Sequence, residues 1–221
     1  MAEHDGGQGA GTGPGGRGAP GGSAGAVGGE ETAAVVAERY RRVADGFGAR
    51  LAGVRPEGWR ESTPCTDWDV TALVTHVLTT QARVAGQAGG ELAEIAPDAD
   101  LLAEWERVRT AIAERLADPG VAAARVGGMF GEQSFASLVG RLLCADTLFH
   151  TWDLARATGQ DEHLDEEACA AALSFLTPLD EAIRRPGGFA PKRPSPPGAD
   201  VQRRLLDFGG RDVDAANPIH P

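Results

Sequence analysis

The chain has 221 residues, 42% of them hydrophobic, and a formal net charge of −11. Its arginines are scattered and Lys192 is its one lysine, so the clustered cations that a phosphate backbone requires are missing and no nucleic-acid partner is expected. No stretch approaches the roughly 20 apolar residues of a membrane span, and three cysteines without CxxC or CxxH spacing (Cys65, Cys144, Cys169) read as reduced thiols of a cytoplasmic protein.

Residues 1–30 are Gly-rich from Gly6 to Gly29, with neither an apolar run nor a basic start, and read as a disordered tail rather than a signal peptide. Residues 31–221 suit a single domain with a sizeable core. A first helix is expected from about Glu31 to Val54, with Val35, Val36, Tyr40, Val43 and Phe47 on its apolar face, broken by Arg55-Pro56-Glu57-Gly58. Ser62-Thr63-Pro64-Cys65-Thr66 leads into a second helix, with Thr66 as the expected N-cap and Asp69 three residues on. That helix carries Val70, Leu73, Val77 and Val84 on one face and ends near Gly86–Gly90. A third runs from about Asp98 to Ala117, closed by Asp118-Pro119-Gly120. A fourth covers about Gln133 to Thr158, with Gly159 as its stop. A fifth starts after Leu164, capped by Asp165, and ends before Pro186; an irregular loop (187–198) and a short amphipathic helix at Val201–Phe208 follow. No alternating strand pattern is evident, and the expected fold is an all-α antiparallel four-helix bundle with a short irregular C-terminal extension.

At about 100° per residue, Val139, Leu142, Leu143, Asp146, His150, Asp153 and Ala157 share one face of the fourth helix, with Arg141, Thr147 and Thr151 opposite. Ionised carboxylates rarely sit on an apolar stripe without a compensating partner. An i, i+4 Asp/His pair lies close enough to grip one ion. Of the five histidines, His4 is in the tail, His220 is next to the C-terminus and His163 is in a polar loop; His76 lies mid-helix at the edge of an apolar face. His76, Asp146 and His150 would supply two nitrogens and a carboxylate oxygen, leaving a coordination position open for water or substrate, as catalytic zinc does. Spacing alone leaves open whether Asp153 is a ligand in place of Asp146 or an outer partner. Iron(II), nickel and manganese suit the same donors. Trp68 and Trp152 read as core or pocket wall, Asp69 as a helix-start acid, Arg141 and Arg156 as solvated charges, and Cys65 and Cys144 as packed thiols.

STPCTDWDVTALVTHV (62–77), DTLFHTWDLARATGQD (146–161) and RRLLDFGGRD (203–212) together resemble the actinobacterial family of mycothiol-dependent maleylpyruvate isomerase metal-binding domains, within the DinB-like superfamily. The resemblance spans about Glu31 to Asp212. It implies a DinB-like four-helix bundle holding a divalent metal, usually zinc, through His76, Asp146 and His150, which selects Asp146 over Asp153 as the ligand. The family's isomerase has Glu where this chain has Asp146, and it carries a C-terminal α/β domain that is not expected in the segment after Pro186. Two readings stay open: a metal-dependent enzyme that uses a small thiol such as mycothiol, for S-transfer to or isomerisation of an electrophilic substrate, or a non-catalytic metal-binding module for protein interaction. A homodimer is a further expectation from the resemblance. No membrane partner is expected.

Overall fold

The computed structural model describes residues 31–65, 67–90, 92, 94–127, 131–184 and 189–215. The tail read at 1–30, the N-cap expected at Thr66 and His220 lie outside the described residues. Four helices make the bundle. α1 (Ala33–Ala52) is capped by Thr32, whose hydroxyl accepts from Val35 N. α2 (Val70–Gln87) starts at Asp69, whose carboxylate accepts from Ala72 N at 2.8 Å. Asp69 is therefore the cap of this helix, later in the chain than the Thr66 expected from the sequence. α3 (Leu101–Ala117) is capped by Asp100. Asp118 then ends α3 and caps a short α4 (Pro119–Ala123).

The fourth long segment differs from expectation at its start. Gln133–Ser134 forms a strand, paired antiparallel with Arg125–Val126, and helix begins at Phe135 (α5, Phe135–Leu138). A π-helical turn at Val139–Leu143 then joins it to α6 (Cys144–Thr158). A two-residue strand is too short to show an alternating pattern. Gly159, left-handed at φ 66°, ends α6 where the sequence puts the stop.

α1 packs against α3 and α6, and α2 against the same two helices, which closes a four-membered ring. Its core includes Phe47, Leu73, Val77, Trp105, Ile112, Phe135, Val139 and Leu143. Val35 falls outside the expected stripe of α1 and is exposed. Inside the ring, Tyr40 donates to Gln81 Oε1 at 2.8 Å and Gln81 Nε2 donates to Thr147 Oγ1 at 3.0 Å, tying α1, α2 and α6 through a buried polar chain. Such groups are tolerated because each finds a partner.

A second layer covers the outer side of α6. α7 (Glu166–Leu176), capped by Asp165, packs on α9 (Val201–Phe208), capped by Asp200. Between α7 and α9 lie a 3-10 turn at Thr177–Leu179 and a short α8 (Asp180–Ile183). Leu148, Phe149, Trp152, Ala168, Cys169, Leu205 and Leu206 form a second apolar cluster. α6 is therefore packed on both flanks, with Asp146, Arg156 and Thr158 left half-buried. Thr147 and Thr151, expected on an outer face, are buried, and Arg156 stacks over Trp152 at 5.3 Å and pairs with Glu162 at 3.0 Å instead of being solvated. Arg141 is half-buried and donates to Gln133 Oε1 at 3.2 Å.

The layers are clamped by Arg39, whose side chain is 3% exposed and bridges Glu31 and Glu167. After α9 the chain turns at Gly209-Gly210. A Cβ on Gly209 would lie 2.3 Å from the Phe149 ring, and Gly210 has φ +80° with backbone 2.8 Å from where its Cβ would be, so only glycines allow this reversal. Among the described residues no helix is long and apolar enough to cross a membrane.

Arg39→Ala is expected to cost about 2–3 kcal/mol in urea unfolding, less than for a fully buried pair because both carboxylates stay half-solvated. Burial pushes the thiols of Cys144 and Cys169 up to about 12. Both are therefore expected to resist iodoacetamide at pH 8 until urea unfolds the chain, as read by mass spectrometry.

Candidate metal centre

α2 and α6 run side by side and bring His76 against Asp146 and His150. His76 Nε2 lies 3.5 Å from Asp146 Oδ1, and His150 Nε2 lies 3.7 Å from the same oxygen. Asp146 and His150 are one helical turn apart and share a face, as their spacing requires. These three donor atoms all fall within 4.8 Å of one another. Ligands held about 2.0–2.1 Å from one ion at tetrahedral angles are about 3.3 Å apart, so the separations suit a common cation. Among the described residues Asp146 Oδ2 is buried with no hydrogen-bond partner, a state that burial penalises unless something positive faces it. The donor set therefore fits a divalent metal.

The side chains grade from open to closed: His76 is 36% exposed, Asp146 19% and His150 9%. One side of the cluster thus meets solvent. Trp68 lines it, with its ring centroid 4.7 Å from that of His76 and 5.9 Å from that of His150. The loop before α2 holds Trp68 there through closed hydrogen bonds: Trp68 N donates to Cys65 O at 3.1 Å, and Thr63 N donates to Trp68 O at 3.0 Å. Asp67 adopts φ +68° in this turn, a conformation in which Asp is among the few side chains that occur with any frequency. Trp152, expected as wall or core, is core: it lies in the second cluster under Arg156.

His150 is fixed through its other nitrogen. Nδ1 is 3.1 Å from Asp153 Oδ2, so Asp153 lies beside the imidazole and away from the donor atoms of His76 and Asp146. A carboxylate on one ring nitrogen sets the tautomer and leaves Nε2 to face Asp146 and His76. Asp153, fully buried, is itself held by Arg211, whose Nε reaches Oδ1 at 3.1 Å and whose Nη2 reaches Oδ2 at 2.7 Å. Burial opposes ionisation of Asp153, but Arg211 and His150 outweigh it and hold the carboxyl well below its usual range. Burial also opposes charge on His150, yet Asp146, Asp153 and the Cys65 thiol carry its pKa up to about 10. A cation at Nε2 would take the place of the second imidazole proton that these groups favour.

Two participants were not expected from the sequence. Cys65, read as a packed thiol, donates to Asp153 Oδ2 at 3.2 Å and lies 3.9 Å from His150 Nδ1. Arg211 arrives from beyond α9. Both stand inside the motifs quoted above, TPCTDWDV and LLDFGGRD, which was the available signal. Cys144, by contrast, is buried in the bundle core away from these groups.

Residues 40–155 match the family described as mycothiol maleylpyruvate isomerase N-terminal domain. Two uncharacterized proteins, from the H37Rv and CDC 1551 strains of Mycobacterium tuberculosis, are each 33% identical over 176 residues, covering 79% of this chain and 96% of the relative. No solved structure matches at a comparable level. The chain, with its four-helix ring and its His–Asp–His cluster between the second and fourth long helices, belongs to the mycothiol maleylpyruvate isomerase N-terminal domain family.

Proposed function

We propose that this protein binds one divalent metal, most simply zinc, through His76, Asp146 and His150, and uses the solvent-facing side of that site to engage a small thiol. The observation that carries the reading is the buried Asp146 Oδ2, without a hydrogen-bond partner among the described residues, beside two imidazole nitrogens that converge on the other oxygen of the same carboxylate. Asp146 is one methylene shorter than Glu, which places the carboxylate close to the α6 backbone and both histidines close to it. With a metal bound, the cation would favour the thiolate form of an incoming thiol, which is the nucleophilic form.

The chain's own groups then do the rest. Asp153 and Arg211 keep the His150 ring oriented. Trp68 supplies an apolar wall over the His76 side, against which a thiol's carbon framework or an electrophilic partner can lie. Family membership makes mycothiol the thiol to test, and the reaction class that fits is S-transfer to an electrophilic carbon, or isomerisation by addition and elimination of the thiol. The small-molecule thiol and its electrophile are the proposed partners, with a homodimer as the proposed assembly.

Protein purified without a histidine tag is expected to carry about one equivalent of divalent metal by elemental analysis. Asp146→Asn, nearly isosteric and still folded by circular dichroism, is expected to weaken metal binding by roughly 100-fold. Metal content unchanged in both Asp146→Asn and His150→Ala would refute the site. Adding mycothiol to the cobalt-substituted protein is expected to alter the visible d–d spectrum; a spectrum insensitive to thiol at saturating metal would refute the thiol reading while leaving the metal site standing.

A further inference from the structure

The His150 imidazole has a second edge with its own triangle of donor atoms. Around Nδ1 lie Asp153 Oδ2 at 3.1 Å and Cys65 Sγ at 3.9 Å, and the sulfur and the oxygen are 3.2 Å apart. Nitrogen and oxygen ligands on one tetrahedral ion are about 3.3 Å apart and edges to sulfur about 3.5 Å; the two sulfur edges here, 3.2 and 3.9 Å, lie on either side of that value. Cysteine, histidine and carboxylate on one small triangle also make a donor set that thiophilic ions favour. Two cation sites would then share one imidazole, with Nε2 facing the first and Nδ1 the second.

The second position already holds a cation. Arg211 Nη2 sits 2.7 Å from Asp153 Oδ2 and 3.5 Å from Cys65 Sγ, touching two of the three donors at once. The guanidinium is locked there: Nε donates to Asp153 Oδ1 at 3.1 Å, Nη1 donates to Gly209 O at 3.1 Å, and its plane lies over the Phe149 ring at 4.9 Å. A guanidinium stays protonated at any working pH, and its planar fork matches a carboxylate, so it neutralises Asp153 without becoming a ligand for metal.

We propose that Arg211 fills a latent second metal site made by Cys65, His150 Nδ1 and Asp153, and so restricts the centre to a single ion. The proposal rests on the reading of His76, Asp146 and His150 as the first site. In this role Arg211 denies thiophilic ions the Cys65 sulfur and leaves the Nδ1–H of His150 hydrogen-bonded to Asp153, which fixes the tautomer. With Arg211 removed, seating an ion in the second site forms bonds to Sγ, Nδ1 and Oδ2 and releases the thiol proton of Cys65 and the Nδ1 proton of His150 to solvent. No oxidation or reduction is involved.

The test is metal stoichiometry with a spectroscopic signature, on the full chain stripped of metal and carrying no histidine tag. Wild type, Arg211→Gln and Arg211→Met are titrated with Co(II), and separately with Cd(II). Wild type is expected to take one equivalent with no sulfur-to-metal charge-transfer band in the near ultraviolet. Both variants are expected to take two equivalents, the second with that band, and Arg211→Gln combined with Cys65→Ser is expected to return to one without it. A charge-transfer band in wild type, or a folded Arg211 variant that stays at one equivalent with no band, overturns the proposal. A wild type that takes no ion beside variants that take one with the band refutes the first site and leaves the role of Arg211 standing. Should the variants unfold because Asp153 is left unpaired, Cd(II) present during refolding is expected to restore their helical circular dichroism, and failure of that rescue also overturns the proposal.

Discussion

The organising constraint in this molecule is that α6 is packed on both flanks and still carries Asp146, His150 and Asp153. The bundle ring closes over one side of it and the α7–α9 layer over the other. A helix so enclosed ordinarily has to be apolar all round. Each ionisable group on it therefore needs a partner brought from elsewhere in the chain, and the arrangement of those partners is the site. His76 comes from α2, Cys65 and Trp68 from the loop before it, and Arg211 from the turn after α9. A buried ion pair of this kind gives little net stability, but losing one member costs roughly 3–5 kcal/mol. Its value here lies in fixing where the imidazole points.

Much of this was legible in the sequence. Helical periodicity located the long helices, and Gly159, Asp165 and the Val201–Phe208 segment marked their ends and successors correctly. The i, i+4 spacing of Asp146 and His150 put them on one face, and His76 was singled out by its place at the edge of an apolar stripe; the structure brings all three together. What periodicity could not show is depth. It assigns one inner and one outer face to a helix, whereas α6 has two inner faces, so Thr147, Thr151 and Arg156 were misplaced. The π turn at Val139–Leu143 also changes the angular step between residues, and Leu142, expected on the inner face, is only half-buried.

Long-range pairing was the other hidden quantity. Cys65 and Asp153 are 88 positions apart and Asp153 and Arg211 are 58, and no local rule joins them. Spacing left Asp146 and Asp153 as alternatives for one role. The geometry separates them, with Asp146 beside both Nε2 atoms and Asp153 beside Nδ1 and the guanidinium. The family match ends at residue 155, so the arginine that holds Asp153 lies outside it, contributed by the layer that distinguishes this chain's α6 surroundings from those of a bare bundle.

That separation has a consequence in time. Arg211 follows Asp153 by 58 residues, an interval of about 3–12 s at translation rates of roughly 5–20 residues per second. Throughout it, His76, Asp146, His150 and Cys65 have all been synthesised, while the guanidinium that holds Asp153 has not. Asp153 is thus synthesised well before the guanidinium that neutralises it in the folded chain. The charge network around His150 is completed only when the C-terminal layer docks and brings Arg211 to Asp153, which makes docking of α9 the step that closes it.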